Sequence, residues 1–163
     1  MVARPTLFAF GLLAAALSSG SCSKPVDLKQ ALEATVISTG YFDAGIQNGK
    51  NKLVPSITYK LKKNGDVKLT SISLNHTFIF IETQEHSGDV FVQNVPFAGA
   101  ETAPIVVRSE WGFLGDGDPP QTRAQMLKNS YFRDMEVAIF GKRGSAQWVE
   151  LQRVKVARQL LTE

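Results

Sequence analysis

The sequence predicts a mainly β protein, a two-sheet sandwich of about seven strands with one short helix. Three observations carry that prediction. Apolar and polar residues alternate along several short runs, which is the period of a strand with one buried face. Turn-forming clusters (Asn64-Gly65, Gly112 to Pro120, Gly141 to Ala146) separate these runs at fairly regular spacing. A single segment, Gln121 to Asn129, reads as a helix. With 44% hydrophobic and 20% charged residues, the chain has the make-up of a domain that buries a core. Its 163 residues suit one domain, placed at residues 31–163.

The elements follow in order. Leu32 to Phe42 is rich in β-branched and aromatic residues. Ile57, Tyr59 and Leu61 alternate with Thr58, Lys60 and Lys62, and Asn64-Gly65 ends that strand with residues that tolerate positive φ. Val67 and Leu69 then fall on one parity, whereas Ile72, Leu74, Phe78 and Phe80 fall on the other. A bulge or a short loop near Thr70-Ser71 is expected to reset the faces. Thr77 to Ile81 is apolar on both parities, as in a strand covered on both sides. His76 shares the parity of Leu74 and Phe78 and is read as a packed or strand-end histidine, not a base. Further strands are expected at Asp89 to Gln93, Pro104 to Arg108, Met135 to Phe140 and Gln147 to Ala157. The last repeats the parity switch, from Val149 and Leu151 to Val154 and Val156. Phe140 and Trp148 are expected in the core.

The stretch L-K-K-N-G-D-V-K-L-T-S-I-S-L-N-H-T-F-I-F (Leu61 to Phe80) resembles the small immunoglobulin-like domains of bacterial exported proteins, including the FxLYD type. In those domains a strand ends at Asn-Gly, a short loop carries one buried leucine, and an alternating strand follows. Asn64-Gly65, Leu69 and Ile72 to Leu74 stand in those places here. The resemblance implies an immunoglobulin-like β-sandwich that serves adhesion or assembly, with no shared catalytic site.

The N-terminus has a different character. Arg4 precedes an eleven-residue apolar run from Leu7 to Leu17, and Ser18-Ser19-Gly20-Ser21 follows. Charge, short apolar stretch and small residues, in that order, form a secretory signal peptide over residues 1–21. The run is too short for a spanning helix, which needs about 20 apolar residues. Leu17 to Cys22 resembles the lipobox of bacterial lipoproteins, with Ser19 standing where a leucine is usual. That resemblance implies that Cys22 becomes a lipidated first residue, with residues 22–30 as a tether and the membrane reached through the lipid. Cleavage after Ser21 by an ordinary signal peptidase, and plain secretion, is the alternative. Cys22 is the only cysteine, so no intrachain disulfide forms. Acylation also removes the liability of a free thiol in an oxidising compartment. The expected location is exported, periplasmic or extracytoplasmic.

Charge and chemistry narrow the function. The net charge of +3 is too small to argue for a nucleic-acid face. The charges are segregated, however. Basic residues dominate Lys24 to Thr70 and Gln121 to the end, while acidic ones dominate Glu82 to Asp118. Of the two histidines, His86 lies near Glu82 and Glu85, a weak alternative metal site against the reading of a solvated acidic turn. No nucleophile elbow or phosphate-binding glycine loop is present, and Asp116-Gly117-Asp118 runs into two prolines instead of further calcium ligands. No catalytic residue and no cofactor are expected. Trp111, Phe113 and Leu114 sit beside a Gly/Asp/Pro loop and form the candidate partner-binding set. The alternative places Trp111 as a cap on the core. The chain thus reads as an exported, lipid-anchored binding or structural module with a protein partner in the cell envelope. A small envelope hydrolase or metal enzyme, and a soluble secreted ligand-binding domain, are the alternatives.

Overall fold

The computed structural model describes residues 26–161, so Cys22 and the leader expected at residues 1–21 lie outside the described residues. Asp27 accepts from the Lys29 and Gln30 N–H groups and caps one helical turn, α1 (Leu28–Ala31). Leu28 is buried against the core, so the folded body begins before residue 31, where the domain was expected to start. The chain then forms β1 (Leu32–Gln47), β2 (Lys50–Lys63), β3 (Ser71–Phe80), β4 (His86–Ala98), β5 (Glu101–Thr102), β6 (Ile105–Arg108) and β7 (Phe113–Leu114). Helix α2 (Arg123–Lys128) and strands β8 (Met135–Lys142), β9 (Val149–Lys155) and β10 (Leu160–Leu161) complete it. Each of the seven expected strands is present. The three additional ones, β5, β7 and β10, have two residues each, too few to show any periodicity. Helix α2 starts where Thr122 and Gln125 form a reciprocal capping box.

The ten strands make one hydrogen-bonded sheet in the order β10-β1-β2-β5-β4-β3-β8-β9, with β6 and β7 also paired to β2. The sheet curls, and its two halves face each other across a core built from Tyr41, Leu53, Ile57, Leu74, Phe78 and Ile139, among others. Closure of the curl depends on the C-terminus. After β9 the chain crosses to β10, which pairs parallel with β1. Thr39 secures the crossing, its hydroxyl donating to the Lys155 carbonyl and accepting from the Ala157 N–H. Gly40 is required here, because a Cβ would lie 2.7 Å from the Gln159 carbonyl oxygen.

Both parity switches have physical counterparts. Val67 to Thr70 is a loop that buries Leu69, and β3 starts afresh at Ser71. In β9, Ile139 faces Gln152 while Phe140 faces Glu150, so Leu151 is the extra residue of a bulge. Phe78, Ile79 and Phe80 are all buried, as expected of a strand covered on both sides. Two aromatic expectations are corrected. Trp148 is 38% exposed because it lies on the turn before β9, and Phe140 is half-buried because it alternates with the inward Val137 and Ile139.

Candidate functional site

The predicted contact residues divide. Gly112 lets the chain lie against β2, since a Cβ there would meet the Leu53 carbonyl oxygen at 2.5 Å. That approach turns Trp111 and Phe113 into the rim of the core. Trp111 meets Phe80 and Phe113 edge-on at 5.2 and 4.8 Å, and Phe113 stacks on Phe132 at 4.1 Å. Tyr41 lies edge-on to Phe132 at 4.8 Å, its hydroxyl buried without a hydrogen-bond partner and its pKa raised, chiefly by burial. Trp111 keeps 38% of its surface exposed, so it caps the core and still reaches solvent. Leu114, equally exposed, lies instead near Met126 and Tyr131.

The alternative metal trio is not assembled. Glu85 accepts from Thr83 and pairs with Arg133 at 3.2 Å, which holds its carboxyl below the usual range. Glu82 and His86 are exposed, and among the described residues no group of three His, Cys, Asp or Glu side chains gathers to hold an ion. Part of the charge segregation is resolved within the chain. Arg133 reaches Glu85, and Lys50 reaches Asp116 at 3.2 Å, each joining a basic segment to the acidic one. Arg108, the one basic residue of the acidic segment, belongs to none of the ion pairs of the described residues. Its guanidinium lies instead 3.4 Å from the centre of the Phe42 ring.

Arg108 stands at the end of a surface that the sequence reading did not identify. Strands β4 and β5 form a hairpin across Gly99-Ala100, pairing Ala98 with Glu101 and Phe97 with Thr102. In the next two facing positions Pro96 would meet Ala103 and Val95 would meet Pro104. Neither proline has an N–H to give, so the ladder stops after two pairs. Beyond that point β4 follows β3, and β6 follows β2 from Tyr59↔Ile105 to Ser56↔Arg108. The arms diverge around a cleft of about 360 Å³ lined by Val92, Val95, Pro96, Pro104, Ile105 and Val106.

The cleft continues at both ends. Through Gln93 it joins a hollow formed with Phe91, Lys142 and Trp148, where the two rings lie 6.1 Å apart. Through Val106 it joins a groove of about 490 Å³ bounded by Phe42, Arg108 and Leu160. Phe91 and Val106 are 61% and 56% exposed, so apolar surface lies open along this line. Behind the cleft one hydrogen bond ties the diverging layers. The Tyr59 hydroxyl, on β2 opposite Ile105, lies 2.6 Å from His76 Nε2, on β3 opposite Val90. His76 Nδ1 lies 3.0 Å from the Val90 carbonyl, which can only accept, so the proton sits on Nδ1 and Nε2 accepts from Tyr59. Burial pushes the His76 pKa down, partly opposed by the Val90 carbonyl. The packed reading of His76 therefore holds, with a polar role added.

One local signal for the cleft was present in the sequence: a Gly-Ala turn flanked by two prolines. Its consequence needs the partners of both arms, which only the topology supplies. Among the described residues no helix is long and apolar enough to cross a membrane. In comparison with known protein families, curated proteins and solved structures, the chain gives no match.

Proposed function

We propose that the chain is an exported, lipid-anchored and non-catalytic binding or structural module, an accessory subunit or stabiliser of a membrane-associated assembly. Acyl chains on Cys22 hold it at the bilayer, each buried CH₂ adding about 0.8 kcal/mol. The short segment between Cys22 and α1 is the leash, and an immunoglobulin-like sandwich is the fold reading that goes with this role. Confinement near the membrane raises the effective concentration toward a partner held in the same layer. The observation that carries the reading is the open apolar surface at Trp148, Phe91 and Val106, with Arg108 beside it in none of the ion pairs of the described residues. Contiguous exposed apolar surface rimmed by polar groups marks interaction sites.

Two measurements test this. Mass spectrometry of the mature protein is expected to show diacylglycerol on Cys22, and an unmodified N-terminus overturns the anchor. Purification in mild detergent is expected to retain a fixed envelope protein at constant stoichiometry, lost in the double variant Phe91→Ser, Val106→Ser. A monodisperse monomer under all mild conditions refutes the assembly role.

A further inference from the structure

We propose that the cleft between β4 and β6 takes an extended segment of a partner polypeptide, added as a strand on the free edge of β6. The segment carries apolar side chains at alternate positions and a carboxylate that meets Arg108. This rests on the reading of the protein as a binding module.

The backbone makes the first part of the case. Ser109 N–H donates to the Pro55 carbonyl at 3.0 Å, which fixes the alternation along β6. In the antiparallel register, Ile105 and Val107 share their backbone bonds with β2, so the N–H and C=O groups of Val106 and Arg108 point away from it. No hydrogen bond among the described residues uses those four groups. The arm that would have met them, β4, is turned aside by Pro96 and Pro104. An extended backbone matches two donors and two acceptors repeating every second residue, and few other ligands do.

Side chains make the second part. A strand beside β6 alternates its side chains between the inner and outer faces. On the inner side it meets Ile105 and the Val92–Pro96 wall of β4, which calls for apolar residues. On the outer side it meets Val106 and Arg108, which line the adjoining groove. The Phe42 ring already supports the Arg108 guanidinium, and a carboxylate gives it the bidentate partner that the described residues lack. The free edge is short, two outward residues between proline and Ser109, which limits indiscriminate pairing with other edges.

The test uses the purified full-length protein and a phage-displayed library of random twelve-residue peptides. Selected peptides are expected to alternate apolar residues and to carry Asp or Glu at one end, with binding read by fluorescence anisotropy. Val106→Pro deletes the N–H that faces the cleft at an exposed position and is expected to weaken binding at least tenfold, clearly more than Val106→Ala, which trims the side chain and keeps that N–H. Arg108→Gln is expected to bring acidic peptides down to the affinity of their amide counterparts. Unchanged circular dichroism and thermal midpoints establish that the variants fold. The inference is overturned by a library without binders, by selected peptides lacking the alternation, or by wild-type affinity in Val106→Pro. A concentration-dependent dimer abolished by Val106→Pro also overturns it, since a second copy then fills the cleft. Detergent co-purification separates the two levels: a partner retained by Val106→Pro leaves the binding-module reading standing and removes only the strand-addition mode.

Discussion

The hydrogen bond between Tyr59 and His76 links the layers behind the point where the hairpin splays, and it can be removed one atom at a time. Tyr59→Phe keeps the ring and deletes the hydroxyl, leaving His76 Nε2 buried without a donor. An unsatisfied buried acceptor costs about 1–3 kcal/mol. For a domain of this size each kcal/mol lowers the melting midpoint by roughly 3–5 °C, so the variant should melt about 3–15 °C below wild type at pH 7.5. The pH dependence sharpens the test. Because burial holds the His76 pKa below its ordinary 6.5, the unfolded chain takes up a proton before the folded one does. Stability is therefore complete above pH 6.5 and declines as the pH falls below it. The paired carboxylates of Asp43, Asp134 and Glu150 have lowered pKa values and titrate at more acid pH, outside this window. His76→Gln supplies an acceptor for Tyr59 and a donor for Val90 without a titrating group. Thermal melts from pH 5 to 8 should show the decline between pH 6.5 and 5 in wild type and a flat profile in His76→Gln. Parallel declines in the two proteins, or an unshifted midpoint in Tyr59→Phe, refute the reasoning.

Further outcomes follow from other contacts. Gly40→Ala drives a methyl into the Gln159 carbonyl and Leu161, detaching β10 from β1; a destabilisation of about 1–3 kcal/mol is expected by urea unfolding, with faster amide exchange at residues 159–161. Trp111→Ala removes a ring packed on Phe80 and Phe113 and should cost about 2–3 kcal/mol, whereas Trp148→Ala, on the outer face, should cost well under half as much in the same assay. Arg158→Met deletes the pair with Asp134 and the hydrogen bond to the Phe132 carbonyl, so the midpoint should fall and the Asp134 pKa, followed by NMR, should rise.

How much was legible in the sequence depends on the range of the interaction. Alternation or β-branched and aromatic composition marked all seven longer strands, and the two parity switches pointed to breaks that are realised as the loop at Val67 to Thr70 and the bulge at Leu151, because both signals are local. The thin strands β5, β7 and β10 gave no signal, as each exists only because a distant strand pairs with it. Trp148 was misread because a tryptophan near a strand usually packs inward, and its position on the turn was decided by where β9 begins. Trp111, Phe113 and Leu114 were singled out together as a contact set, but Gly112 folds the first two onto the core rim and Leu114 separates from them.

The sequence by itself determined the β character, the short helix at α2 and the buried histidine. Each follows from neighbours within a few residues. Tertiary structure alone decided that the sheet curls and closes through β10 on β1, and that the Tyr59 hydroxyl finds His76. It also decided that two prolines leave an open edge on β6, with Arg108 beside it. These arise from backbone pairing between residues far apart in the chain, and no local pattern records which strands will be neighbours.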